Sequence, residues 1–384
     1  MKKLFFISCF SGFALQQASA QPLFTYGNNE VSKEEFIRAF NKNNARVDDR
    51  EKAMKEYITL YSNFKLKVKA ARDLKLDTLS ELRYDMMNFR SRLETDFPVD
   101  VKEALTKTGF KRNPAVKEDQ LFRFADSVTL LQEIRKYPIE KEVIFTMTGT
   151  SVKVNEWLQF VKKYKLDREV YKGESYNELL DKFIELTVSD YYRKHLEDYN
   201  TDFKYQLQGF KEDNLSFEVM SRLVWNKSKA DNEALKGFYE TNKDRFVWVQ
   251  CADVILVNAK YFAYADYASE NMKTGLYWRK IVIASEGMIQ GDSGRYEIAQ
   301  LPLKPGTKLV EGEITEIVKN AADNGAGFVK VIKVYPPKLQ RSFEEAKSLV
   351  INEYQQQLEK TWMDDLARKY PVKVNTAVFQ SLLK

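Results

Sequence analysis

The chain has 384 residues, of which 44% are hydrophobic and 30% charged, a composition that excludes disordered and fibrous classes and suits two or three folded domains. Lys and Arg number 61 against 55 Asp and Glu, and a net +6 spread over this length is too thin for a nucleic-acid surface. One histidine (His195) and two cysteines (Cys9, Cys251) exclude a multi-histidine zinc site, a cysteine-held cluster and any serine triad not built on His195, so neither metal nor cofactor is expected.

Met1-Lys2-Lys3, an apolar run from Leu4 to Leu15 and the small-x-small pattern Ala18-Ser19-Ala20 read as a secretory signal peptide, residues 1–20, cleaved after Ala20. The apolar run is too short to span a bilayer, and Cys9 sits inside it, which argues against lipid attachment there. No later stretch reaches a span's length, so the exported protein is expected to be soluble, without stable membrane insertion. With Cys251 as its remaining thiol it has no internal disulfide, and packing must stabilise it.

Residues 24–43 (FTYGNNEVSKEEFIRAFNKN) and 145–164 (FTMTGTSVKVNEWLQFVKKY) align without a gap. Phe24/Phe145, Val31/Val152, Glu35/Glu156 and Phe36/Trp157 coincide. Each copy reads as strand, turn, strand and helix. Ser32 and Glu35 form a capping box for the first helix. One residue of further offset aligns a second helix, with Tyr57, Tyr61, Phe64 and Ala71 against Leu179, Phe183, Leu186 and Arg193. Its apolar stripe (Tyr57, Leu60/Tyr61, Phe64, Val68, Ala71) has helical period, and Lys65, Lys67, Lys69 and Arg72 read as its solvated face. The pattern predicts a duplicated hairpin-plus-helices unit, 21–140 and 141–245. Residues 76–140 carry helical patterns broken by Pro98, Pro114 and Pro138; residues 196–230 read as irregular, and Ala234–Arg245 as a helix.

From Phe246 the texture changes to strand run, helix (Tyr261–Lys273), glycine-rich turns and strand run, ended by Pro336-Pro337: a small α+β domain, 246–337. A second capping box, Ser342 to Glu345, opens a helix reaching Tyr370 in a segment, 338–384, that returns to the N-terminal lobe. Its apolar residues Ala346, Val350, Tyr354, Leu358, Trp362, Leu366 and Tyr370 recur every four. Each such step overshoots a turn by about 40°, so the stripe winds and needs more than one neighbour. The N-terminal unit is one, which joins the chain ends. His195 reads as a solvated surface residue, Cys251 as a buried small hydrophobe and Gly291–Gly294 as a turn.

The runs VSKEEFIRAFNKN with YITLYSNFKLKVKAARDLKLDTL, NEALKGFYETNKDRFVW, and RSFEEAKSLVINEYQQQLEKTWMDDLARKYPVKVN resemble the SurA-like periplasmic peptidyl-prolyl isomerases and chaperones of Bacteroidetes. That family carries parvulin domains between such ends. ADVILV (252–257), GDSGRYEIAQLP (291–302) and GFVKVIKVYPP (327–337) are similar to parvulin's A-x-H-I-L-V, G-G-D-L-G-x-F and G-Y-H-I-I-K-V segments. The two family histidines fall on Val254 and on Val329 or Gly327. The resemblance therefore implies an α+β, predominantly helical protein, with a chaperone lobe formed from both chain ends and a degenerate parvulin-like domain.

The function so implied is a periplasmic chaperone that binds unfolded or partly folded outer-membrane or secreted polypeptides without isomerase activity. Tyr57, Tyr61, Phe64, Tyr354 and Trp362 are its client-binding candidates, and no catalytic residue is assigned. The degenerate parvulin-like positions are Cys251, Val254, Tyr296, Phe328 and Val329, and one alternative is an active isomerase with a divergent 246–337 site using Cys251 with Tyr296 or Phe328. The other is a non-catalytic envelope adaptor for one folded partner.

Overall fold

The computed structural model describes residues 21–43, 47–130, 138–320 and 322–383. The candidate signal peptide and its cleavage point lie outside the described residues. The chain is α+β and predominantly helical, and divides into two compact units, Met1–Met220 with Asp365–Lys384, and Ser221–Asp364.

Unit 1 begins with a hairpin, β1 (Phe24–Tyr26) and β2 (Asn29–Val31), then α1 (Lys33–Asn43) and α2 (Arg50–Asp73). Next come α3 (Ser80–Leu93), α4 (Val101–Lys107), β3 (Lys111–Arg112) and α5 (Glu118–Leu130). Pro98 and Pro114 fall between these helices, where an absent N–H costs least. A second hairpin follows, β4 (Val143–Met147) and β5 (Thr150–Lys153), with α6 (Val154–Leu166), α7 (Tyr176–Lys194), α8 (Leu196–Tyr199) and α9 (Thr201–Met220).

The two hairpin units pack alike. Phe24 and Phe145 are fully buried, as are Phe36 and Trp157. Phe24 meets Tyr61 edge-on at 6.2 Å, and Phe145 meets Phe183 edge-on at 6.0 Å. Both two-residue turns use a glycine at positive φ, Gly27 (+55°) and Gly149 (+72°), which such hairpins favour.

Three expectations are overturned here. Gly291–Gly294, read as a turn, lies inside a strand, Ile289–Glu297. The span 196–230 is almost wholly helical, with α9 the longest part and a π-helical stretch at Ser221–Trp225. Its period was hidden because Glu212 occupies a buried position and Gly209 interrupts the pattern. Lys65 is not solvated: it is 2% exposed and paired with the carboxylates of Glu35 and Glu212.

Unit 2 comprises α10 (Asn226–Ala230), α11 (Asn232–Thr241), β6 (Val247–Trp248), β7 (Cys251–Ala259), α12 (Phe262–Lys273), α13 (Trp278–Ala284), β8 (Ile289–Glu297), β9 (Val318–Lys319), β10 (Ala326–Tyr335), β11 (Leu339–Gln340) and most of α14 (Phe343–Lys369). Its main sheet is antiparallel, in the order β8-β7-β10-β9. The capping box of α14 is complete: Ser342 N–H donates to Glu345 at 2.7 Å, and Glu345 N–H donates to Ser342 Oγ at 3.3 Å.

The winding stripe of α14 finds different neighbours along its length. Ala346, Val350 and Tyr354 pack with Leu235, Tyr239 and Phe246 of unit 2. Leu366, near the C-terminal end, and Tyr370 just beyond it are buried in unit 1. Tyr370 donates its hydroxyl to Asp73, and its ring packs against Gly27. The chain ends with β12 (Val372–Val374) and α15 (Thr376–Gln380). β12 pairs antiparallel with β1, Phe24 opposite Val374, and Phe379 meets Phe36 at 6.4 Å. Both ends of the chain thus share one three-stranded sheet, β12-β1-β2.

Candidate functional site: an aromatic cleft in unit 1

A cleft of about 890 Å³ lies among α1, α2, α9 and the region of α3 through Phe97. Period alone places its main wall. Tyr57, Tyr61 and Phe64 recur at helical spacing on α2, and their rings form a ladder. Tyr57 and Tyr61 stack at 5.7 Å, Tyr61 and Phe64 at 5.9 Å. Leu60, on the same wall, is 64% exposed. On the other side Phe89 of α3 lies parallel to Phe210 of α9, with centroids 4.0 Å apart.

The rim is polar and its charges are matched. Arg38 pairs with Asp202 and lies over the Tyr205 ring at 4.7 Å; Lys42 faces Asp213 at 3.8 Å. Asn43 Nδ2 donates to the Tyr57 hydroxyl at 3.1 Å.

Beneath the aromatic wall lies a buried ion network. Lys65 Nζ sits 2.5 Å from Glu35 Oε1 and 2.6 Å from Glu212 Oε2. Arg72 and Gln208 hold the second Glu212 oxygen at 2.9 and 3.2 Å. Tyr61 donates its hydroxyl to Glu35 at 2.9 Å. Burial pulls the Lys65 ammonium down, but the two carboxylates outweigh it and hold the group above its ordinary value. Burial, reinforced by Glu35, keeps the Tyr61 phenol protonated. The first capping box is therefore half formed: Glu35 N–H donates to Ser32 Oγ at 3.1 Å, while the Glu35 side chain is drawn to Lys65.

Of the five client-binding candidates, the structure gathers Tyr57, Tyr61 and Phe64 on the cleft. Tyr354 and Trp362 belong to unit 2, where Tyr354 packs on Phe238 at 5.5 Å. Phe89, Phe97, Tyr205 and Phe210 were not singled out from the sequence. The Phe203, Leu207, Phe210 spacing on α9 was the available signal.

In unit 2 the sheet separates the parvulin-like positions. Phe328 opposes Val257 on the face covered by α12 and α13. Val329 opposes Leu256 and Val331 opposes Val254 on the other face. There Ala252, Val254, Leu301, Val329 and Val331 form a buried aliphatic cluster with Tyr296 at its margin. Val254 and Val329 are each 0% exposed. The face holds no acid, base or thiol at these two positions. Tyr296 donates its hydroxyl to Asp292 at 2.6 Å. Cys251, three residues before Val254, falls on the opposite face by strand alternation. It is buried, and burial pushes its thiol up, away from thiolate chemistry. Asp253 accepts a fork from Arg295 (2.8 and 3.2 Å) and the Tyr335 hydroxyl (2.7 Å), a structural anchor for the sheet. His195 stacks on Tyr191 at 4.2 Å with Nδ1 against the Tyr191 carbonyl, half-buried and away from the cleft lining. Among the described residues no group of three His, Cys, Asp or Glu is placed to hold a metal, and no helix is long and apolar enough to cross a membrane.

No family model and no curated protein matches the chain. Solved structures to which it is similar include one of two SurA-like chaperones of Campylobacter jejuni (15% identity, 58% of this chain, 95% of that chain, TM-score 0.17). They also include the foldase PrsA of Lactococcus lactis (13%, 63% of this chain, 98% of that chain, TM-score 0.23). PrsA of Streptococcus pneumoniae is a third (13%, 63% of this chain, 99% of that chain, TM-score 0.24).

Proposed function

We propose that this chain is an exported, SurA-like chaperone that holds unfolded outer-membrane or secreted polypeptides in the unit 1 cleft, without prolyl isomerase activity. The observation that carries the reading is the cleft itself: about 890 Å³, walled by stacked aromatic rings and rimmed by matched charges. Aromatic walls give large contact area at little entropic cost, and each apolar client side chain buried there is worth roughly 1.5–3 kcal/mol. Matched rim charges impose no strong sign on the client. Gln206 at the rim offers an amide to a client backbone. Affinity on such a surface is weak per contact and tolerant of sequence, as holding a floppy chain requires.

The loss of isomerase activity is supported by Val254 and by Val329 or Gly327, which stand where the resemblance places histidines; all three are buried, and Val254 and Val329 are sealed in aliphatic packing. The divergent-isomerase alternative pairs Cys251 with Tyr296 or Phe328: Tyr296, opposite Ala252, is on the other face of the sheet, and Phe328, on the same face as Cys251, stands opposite Val257, six residues further along β7. The test is aggregation of a denatured β-barrel protein diluted into buffer. Stoichiometric chain suppresses light scattering, and Leu60→Asp with Phe64→Ser does not. Unchanged scattering with the wild-type chain would end the reading. A protease-coupled prolyl-peptide assay should stay at the uncatalysed rate.

A further inference from the structure

Beside the aromatic cleft lies a second hollow of about 400 Å³, and Glu35, Tyr205 and Gln208 line both. Its chemistry differs. Four carboxylates (Glu30, Glu35, Glu197, Asp198) line it against one ammonium, Lys204. Two of the four are occupied from behind: Glu35 by Lys65, and Glu197 by Arg90 at 2.8 Å. Glu30 and Asp198 are exposed and make no ion pair among the described residues. An apolar cleft therefore runs into a hollow with two uncommitted carboxylates and one uncommitted cation.

We infer that the two hollows together select client segments in which an aromatic or large aliphatic side chain stands close to a lysine or arginine. This inference rests on the reading of the cleft as the client site. The apolar side chain enters against Tyr57, Tyr61 and Phe64, and the cationic one reaches Glu30 and Asp198. Tyr205, common to both hollows, stands between the two side chains. The matched pairs Arg38–Asp202 and Lys42–Asp213 leave the rim of the aromatic part neutral, so the charge preference arises in the second hollow. Preference is moderate because both carboxylates are solvated: about three- to tenfold for the pair at low ionic strength, shrinking with salt.

The experiment uses the full chain and fluorescein-labelled nonapeptides with one Phe-Ser-Phe core, followed one, two or three positions later by Lys, Gln or Glu. Anisotropy titrations should rank Lys above Gln above Glu at one or more spacings. In Glu30→Gln/Asp198→Asn the Lys preference disappears while affinity for the Gln peptides is unchanged. Lys204→Glu, which leaves the existing carboxylates in place, should widen the preference. Equal affinities for Lys and Gln peptides at every spacing overturn the inference while the client cleft stands. No binding of any peptide, with Leu60→Asp no different from wild type, overturns both.

Discussion

Replacing Lys65 by Met removes the one cation shared by the buried Glu212 and the half-buried Glu35. The side chains of Lys65 and Glu212 are 2% and 5% exposed, and Glu35 is 17% exposed. Taking one partner from a buried ion pair costs about 3–5 kcal/mol, mostly because the remaining charge has neither water nor counter-ion. Arg72 still reaches Glu212 at 2.9 Å and is itself 35% exposed, so Glu212 keeps part of its compensation. The cost then falls near the lower end, about 3 kcal/mol. Hydrogen exchange of α2 and α9, the helices that Lys65 and Glu212 join, reads it without assuming that both units unfold together. Their protected amides should exchange about a hundredfold faster in Lys65→Met. Adding Glu35→Gln and Glu212→Gln should restore most of the protection, because a neutral buried group needs no counter-charge. Exchange within about fivefold of wild type in the single variant, or no recovery in the triple, would refute the argument.

Three further outcomes follow from the same structure. Leu60→Asp, on a side chain already 64% exposed, should leave stability within about 0.5 kcal/mol and weaken client binding at least fivefold; unchanged anisotropy titrations would count against the cleft. Asp253→Asn should destabilise unit 2 by about 1–3 kcal/mol at neutral pH. The Arg295 hydrogen bonds hold the Asp253 carboxyl below its ordinary 3.8, so this stabilisation is present above that value and lost as pH falls through the folded value. The gap between variant and wild type in urea unfolding should therefore close in acid, and a pH-independent gap would contradict the assignment. Gly27→Val meets both a left-handed φ of +55° and the Tyr370 ring 3.2 Å from the new Cβ, and should lower stability by about 1–3 kcal/mol in thermal unfolding, releasing β12 first by hydrogen exchange.

What was legible in the sequence was period and punctuation. Paired aromatics fixed the two hairpin units, the Ser342 to Glu345 box fixed the start of α14, and the four-residue spacing on α14 implied changing neighbours, which Val350 and Tyr370 have. What was not legible depended on partners distant in the chain. Lys65 and Glu212 are 147 residues apart, and each looks like a surface residue until the other is known. The same pair concealed α9, since a buried glutamate breaks the apolar count by which a helix face is recognised. Tyr354 and Trp362 carry the residue types of a binding wall but belong to unit 2, where Tyr354 packs on Phe238. Phe89 and Phe210 face each other only because α3 and α9 pack together.

The two similar hairpin-plus-helix stretches of unit 1 differ at the buried lysine beneath the cleft. Glu35 and Glu156 occupy the same position, three residues into their helices. Glu156 accepts the Lys153 N–H at 2.8 Å and stays at the helix end. Glu35 turns inward, because the residue facing it on the second helix is Lys65, whereas the aligned position in the other copy is Thr187. A threonine cannot supply the charge that draws a carboxylate from a cap worth about 1 kcal/mol. The second unit instead closes around Trp157, Leu179 and Phe183 as a plain core. Lys65→Thr should then return the Glu35 carboxylate to the Ser32 N–H, raising that amide's protection while α2 and α9 loosen. If the Ser32 amide gains no protection while the helices loosen, charge pairing is not what separates the two copies.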